Sequence, residues 1–207
     1  MFYKNISKPH FFVSEVFLLF ICFVKISFAA TLPQRIVSLS PPLTEAIYLL
    51  KEDSKLVGCT IYCVKPEEAK YKEKIGTIID VDIEKLIKLK PDIVLTTSLT
   101  SGKTKDFLNK LNIKYVDFPA PQSFDELTEE FIKLGKLLGK EKTARIIAEK
   151  TRENVLNIRK KVRTLTKPKV FIQIGANPLF TANKTSFIND FIEYAGATNI
   201  AKDSVSG

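Results

Sequence analysis

Histidine is almost missing from this chain: the 207 residues contain one, His10, and it lies in an N-terminal segment with the make-up of a removable leader. The remainder then holds none, which excludes a Ser-His-Asp or Cys-His catalytic group, a mixed His–Cys zinc site and a metalloprotease H-E-x-x-H helix. Other absences narrow the field. There is no G-x-S-x-G nucleophile elbow and no carboxylate cluster of the kind hydrolases need, so an exported α/β hydrolase is disfavoured. A phosphate loop also fails, because Ser101-Gly102-Lys103-Thr104 has Thr97 where the earlier glycine is required; a loop-to-helix junction is the better reading. The sequence shows no low-complexity tract and no internal repeat beyond a late return to strand and helix. No catalytic residue, metal site or cofactor is expected.

Apolar runs long enough to cross a bilayer are lacking too. Residues 16–24 form a run of nine, against the roughly 20 a spanning helix needs, and Lys25 ends it. Lys4 and Lys8 precede the run, and Ser27, Ala29 and Ala30 follow it, which are the three parts of a secretory signal peptide. Residues 1–30 are therefore expected to be cleaved after Ala29 or Ala30 and the product exported; an uncleaved anchor is the other reading. Ile21 precedes Cys22 where a lipoprotein signal needs a small residue, so no lipid is expected there.

What remains is ordinary for a folded protein: 45% of the whole sequence is apolar, enough for one domain or two small lobes. Lys and Arg outnumber Asp and Glu by 32 to 23, and by 29 to 22 once residues 1–30 are set aside, leaving +7. Such a protein is simply soluble, or sits near anionic lipid or a negatively charged partner. Nucleic acid is not expected, because lysines spread along helical stretches among Glu and Asp, with no aromatic-studded basic strip. Beyond the leader two cysteines remain, Cys59 and Cys63. They form a disulfide if the loop brings their Cα atoms to about 4.4–6.8 Å, and otherwise stay separate buried thiols.

The apolar pattern alternates between strand and helix. Strands are expected at 35–40, 56–60, 92–97 and 114–118. Helices are expected from Pro41 to Leu50, from a cap at Asp82 to Leu89, over 103–111, and from a Ser123–Glu126 capping box to Leu138, stopped by Gly139. This order predicts a parallel sheet covered on both faces. A long helix is expected over 141–165, then a strand at 169–174 with Phe171 turned into a sheet core, a turn over 175–178, and a helix over 186–195.

Placed in this order, RIVSLSPPLTE at 35–45, LVGCTIY at 56–62, PEEA at 66–69 and IEKLIKLKPDIV at 83–94 resemble the first lobe of the periplasmic substrate-binding proteins of ABC importers for vitamin B12 and iron chelates. VFIQIGANPLFT at 170–181 and FINDFIEYAGATN at 187–199 resemble the opening of the second lobe, with greatest similarity to cobalamin-binding members. The resemblance implies an α/β fold of two lobes joined by one long helix, divided as 31–140, 141–166 and 167–207, with the second lobe incomplete through truncation at the C-terminal end. It implies a monomeric, non-enzymatic carrier in the periplasm that holds cobalamin, or an iron-siderophore or haem, between the lobes and delivers it to the membrane permease. A truncated remnant that binds nothing is the remaining alternative.

Several residues carry the implied site. Ser40 and Pro41 end the first strand, where open α/β sheets place ligands, although a plain helix cap explains them equally. Tyr62 matches a cleft aromatic that packs on the corrin, and an amphipathic ring suits a large macrocycle. Ile78 stands where the cobalamin-binding relatives have tryptophan. Gly175, Asn177, Pro178, Phe180 and Thr181 face the cleft from the second lobe or form a structural turn. Glu84 matches the acid that docks with arginines of the permease, a contact that sets orientation and encounter rate; beside a helix N-terminus it is also favourable to the dipole. A second docking acid would fall beyond Gly207.

Overall fold

The computed structural model describes residues 31–205, so residues 1–30, where a leader is expected, lie outside the described residues. Five short strands form one parallel sheet: β1 (Ile36–Ser38), β2 (Leu56–Cys59), β3 (Glu73–Lys74), β4 (Ile93–Thr97) and β5 (Tyr115–Phe118), in the spatial order β3-β2-β1-β4-β5. Apart from β3 at the edge, which is Glu73–Lys74, the strands are mostly apolar because both faces are covered. Side chains alternate strictly across the sheet. Ile36, Ile93 and Leu95 join one cluster with Ile47, Phe118 and Leu134, while Val37 and Val94 join the other with Leu86 and Leu108.

Helices supply the two covers: α1 (Pro41–Leu49) and α4 (Phe124–Leu137) on one face, α2 (Ile83–Lys88) and α3 (Gly102–Lys110) on the other. Local chemistry sets their starts. The Asp82 carboxylate accepts from Lys85 N at 3.0 Å, and the hydroxyls of Ser101 and Ser123 accept from Thr104 N and Glu126 N, each at 3.2 Å. The Ser123–Glu126 box closes one residue early, since the Glu126 carboxylate reaches Gln122 N at 2.7 Å. The start of β1 is pinned to the start of β4 by the Asp92 carboxylate, which accepts from Gln34 N and Arg35 N at 2.8 and 3.1 Å.

Gly139, at φ +74°, ends α4 in a conformation that favours glycine and turns the backbone into α5 (Glu141–Val162). This is the long helix expected from the sequence, three residues shorter than the apolar spacing suggests. Its first half packs on α4, where Gly135 lies so close to Ala144 that a Cβ there would collide with it. Ala144 and Ala148 are the buried residues of α5; the turns after Arg152 are largely exposed.

The region after Lys167 corrects two expectations. The single strand over 169–174 is two strands, because the backbone breaks at Phe171–Ile172 to feed separate sheets. β6 (Lys169–Val170) pairs in parallel with β9 (Thr198–Asn199), whereas β7 (Gln173–Ala176) pairs antiparallel with β8 (Leu179–Thr181). Phe171, expected inside a sheet, falls at the break and is 45% exposed. The helix α6 (Phe187–Tyr194) docks through Asp190, whose carboxylate accepts from Phe124 N at 2.8 Å, and through the edge-on rings of Phe124 and Tyr194. A buried polar knot stands at its centre: the Asn199 amide donates to Ala182 O at 2.8 Å and to Asn189 Oδ1 at 3.0 Å.

Candidate functional site

After β1 the polypeptide passes to β2 on one side and later to β4 on the other, so a crevice opens between β1 and β4 at the carboxyl ends of the strands. In open α/β sheets this reversal is where ligands bind. A cavity of about 300 Å³ occupies it. Ser40 and Pro41 line it from the end of β1, Thr97 to Leu99 from the end of β4, and Phe118 to Pro121 from the end of β5, while Leu127, Phe131 and Leu134 of α4 form its floor.

Ser40 does not act as a cap. Its carbonyl accepts from Thr44 N at 2.9 Å, but its hydroxyl makes no capping bond. Pro41 and Pro42 fill the first two helical positions, where a helix otherwise presents free N–H groups to an anion. The mouth of α1 is therefore poor in donors. Among the described residues Glu130 is the one charged residue on the cavity wall, and its carboxylate pairs with Lys133 at 3.0 Å; no Lys or Arg lines it. The surface suits a neutral, largely apolar face of a ligand rather than an anionic one.

Ile78 reaches the cavity from a tight turn. Thr77 N donates to Asp80 O at 2.8 Å, Asp80 N donates to the Thr77 hydroxyl at 2.9 Å, and Gly76 takes φ +93° to admit the turn. The structure thus brings together three residues named from the sequence: Ser40, Pro41 and Ile78. Tyr62 stands apart, 56% exposed in the turn after β2 and outside the cavity wall. Gly175, Asn177, Pro178, Phe180 and Thr181 also lie outside that wall; they build the β7–β8 hairpin, with Phe180 beside Gly175 and the Thr181 hydroxyl buried without a partner. Glu84 is exposed in the first turn of α2, where Asp82 already provides the cap. The contributions of Thr97 to Leu99, of Pro119 to Pro121 and of α4 were not identified from sequence. Their signal was position, at the carboxyl ends of the two strands after the reversal.

Cys59 and Cys63 are free, fully buried thiols rather than a disulfide. Local hydrogen bonds explain why this arrangement is self-sufficient. The hydroxyls of Thr44 and Thr60 each lie 3.2 Å from the Cys63 sulfur, and the Lys74 ammonium lies 3.2 Å from the Cys59 sulfur while donating to Cys63 O and Ala69 O at 2.8 Å. A hydrogen bond from Cys59 pulls the Cys63 thiol down to about 6 against the effect of burial, with Thr44 and Thr60 adding to it. The same bond, with burial, pushes Cys59 up. The cluster ties α1, β2, β3 and the Tyr62 turn together just behind the crevice.

Comparison with known proteins agrees with this architecture. The chain is 33% identical over 178 residues to YvrC of Bacillus subtilis, an uncharacterized ABC transporter substrate-binding lipoprotein, covering 83% of this chain and 56% of that protein. It is 28% identical over 172 residues to the vitamin B12-binding protein of Yersinia pestis, covering 83% and 61%. The crystal structure of a possible iron-binding, periplasmic solute-binding protein from Staphylococcus epidermidis superposes with a TM-score of 0.75 at 32% identity, covering 86% of this chain and 70% of that one. The chain thus spans little more than half the length of the curated relatives it matches. The profile of the periplasmic binding protein family matches residues 36–206, and the chain belongs to that family.

Proposed function

We propose that this chain is the exported substrate-binding component of an ABC importer and holds cobalamin at the crevice between β1 and β4 for delivery to the membrane permease. The observation that carries the reading is the character of the cavity wall. Among the described residues it is apolar, has no Lys or Arg, and opens on a helix whose first two positions are prolines. A corrin ring with amide groups at its rim meets these demands, whereas an anionic iron chelate needs cations or free N–H groups that this wall lacks. The similarity to the vitamin B12-binding protein of Yersinia pestis supports the same ligand. Ser40, Pro41 and Ile78 would form one wall, and Tyr62, exposed outside it, and residues 175–181 of the second lobe after Lys167 would meet the parts of the ligand that extend beyond the cavity. Binding makes and breaks no bond, and α5 joins the two lobes.

A haem or ferric siderophore is the second reading, favoured by the likeness to the Staphylococcus epidermidis structure and by Ile78 in place of the tryptophan of cobalamin-binding relatives. Glu84, exposed on α2, is proposed to meet a basic residue of the permease. Calorimetric titration of the purified protein with cyanocobalamin, haem and a ferric siderophore in parallel decides between the ligands. Saturable one-to-one binding of cyanocobalamin alone is the expected result. Preference for the siderophore or haem would replace the ligand, and no heat with any of the three from a folded protein would overturn the carrier reading.

A further inference from the structure

The positive charge of this protein is concentrated in one place. Of residues 31–207, 29 are Lys or Arg and 22 are Asp or Glu. From Asn154 to Asn189 there is no acidic residue at all, yet seven cations occur: Arg159, Lys160, Lys161, Arg163, Lys167, Lys169 and Lys184. Taking these seven from 29 leaves 22 cations against 22 acids elsewhere, so the whole net charge of +7 resides in that stretch. Six of the seven lie within residues 159–169, at the exposed end of α5 and the segment leading to β6.

Their surroundings do not neutralise them. Lys184 faces Asp203 at 3.8 Å and Arg159 lies over the Tyr194 ring at 4.7 Å, but among the described residues Lys160, Lys161, Arg163, Lys167 and Lys169 have no ion-pair partner. Arg159, Lys160, Arg163 and Lys167 share a groove of about 410 Å³ in which Glu193 is the single acid. Cations this close repel one another over distances below the Debye length, about 8 Å at physiological salt, so the patch is relieved by any surface dense in negative charge.

We propose that the basic end of α5 is a docking surface for an anionic phospholipid bilayer, which holds the protein peripherally on the membrane face. Charge complementarity is the first argument, since each cation near such a surface adds to the attraction. The second is the company the cations keep. Leu156, Ile158 and Leu165, between 48% and 61% exposed, are interleaved with them and can settle at the headgroup boundary, as in interfacial basic helices. Nucleic acid fits less well, because no aromatic side chain alternates with the cations over residues 156–170 and the ring beside them, Tyr194, is already covered by Arg159, which leaves Phe171 as the one exposed ring next to that stretch. Among the described residues no helix is long and apolar enough to cross a membrane, so the contact is superficial. This surface is independent of the ligand held in the crevice.

The test is co-sedimentation of the full-length protein with vesicles of phosphatidylcholine alone and of phosphatidylcholine carrying phosphatidylglycerol, the neutral vesicles giving the baseline from any other lipid contact, the leader included. Wild type is expected to bind the anionic vesicles at least about tenfold more tightly than the neutral ones at low salt. The substitutions Lys160→Gln, Lys161→Gln, Arg163→Gln and Lys167→Gln together should remove that difference. Four equally exposed changes on α2, α3 and the start of β5, Lys88→Gln, Lys103→Gln, Lys110→Gln and Lys114→Gln, should leave it. Thermal melts check that both sets of variants are folded. Equal losses from the two sets would reduce the effect to net charge and overturn the proposal, as would a lipid dependence that survives the first set. Binding of a DNA duplex as tight as that of anionic vesicles at the same ionic strength would overturn the assignment to lipid.

Discussion

The regions before and after α5 are built on different principles. Residues 32–140 wrap a five-stranded parallel sheet in two apolar clusters, and Ile36, Val37, Val94 and Leu95 are buried or nearly so on both faces. Residues 167–205 hold two sheets of two strands each, bury Ala182, Ile192, Asn189 and Asn199, and leave Phe171, Ile174, Leu179, Phe180 and Phe191 between 45% and 63% exposed. One region is held by burial of apolar area and the other by a knot of amide hydrogen bonds and a few contacts to α4 and α5. Local stability should follow, because few buried apolar contacts mean low opening free energy.

The sharpest break of this comparison is a cavity in the larger core. Leu95→Ala, at a fully buried position of β4, should cost about 2–5 kcal/mol in denaturant unfolding, whereas Phe180→Ala, at a half-exposed position of β8, should stay within about 0.5 kcal/mol. Equal costs would mean that the two regions are equally packed. Next in size is the knot itself. Asn199→Leu leaves Asn189 Oδ1 and Ala182 O without their donor, a loss of about 1–3 kcal/mol. Hydrogen exchange should show faster amides over 169–199 and unchanged ones over 36–118.

Legibility in the sequence divides along the same line. Before α5 the elements fall within one or two residues of expectation, because apolar alternation, caps at Asp82 and Ser123, and a stop at Gly139 all agree. β3 was invisible, since Glu73–Lys74 has no apolar signal and forms only by pairing with β2. After α5 the run Val170 to Ile174 is apolar but for Gln173 and reads as one strand, yet β9 and β8 each pair with one end of it. Those partners are two and three residues long and leave no pattern to read. Of the cavity wall, Ser40, Pro41 and Ile78 were named from the sequence, while the α4 floor was not, since its residues read as ordinary core spacing.

Smaller effects come from ionisable groups, among them Glu52 and the thiol pair of the first region. Glu52 is buried and bonded to Lys55 and Lys140 at 2.5 and 3.0 Å. Burial opposes its charge, but the two lysines outweigh this and hold its carboxyl below the usual value. Its contribution is therefore present above the unfolded-state pKa and lost as pH falls through the lower folded one. Stability of wild type should drop in acid below about pH 4.3, and Glu52→Gln should flatten that part of the profile.

The thiol pair acts at the other end of the scale. Cys63 ionises near 6 when folded and at about 8.5 when unfolded, so the native state binds fewer protons between these values and stability rises with pH across them. Above that window Cys59, raised in the native state, stays protonated while its unfolded counterpart ionises, and stability turns down. Chemical denaturation followed from pH 6 to 10 should show this maximum, and Cys63→Ser should remove the rise. In native protein both thiols should resist iodoacetamide until unfolding, read by peptide mass spectrometry.

The place of β1 carries a temporal consequence. It is the earliest strand of the sheet in sequence, yet it lies at the middle, with Leu56 and Ile93 as the partners of Ile36. β4 lies 34 residues beyond the end of β2, from Cys59 to Ile93, so in a chain that emerges N-terminus first the β1–β2 pair presents an apolar, unfilled edge until β4 is delivered. Emerging polypeptides are thus most open to strand addition by another polypeptide before β4 arrives, and slower delivery of residues 60–92 should lengthen that exposure and raise the yield of aggregate.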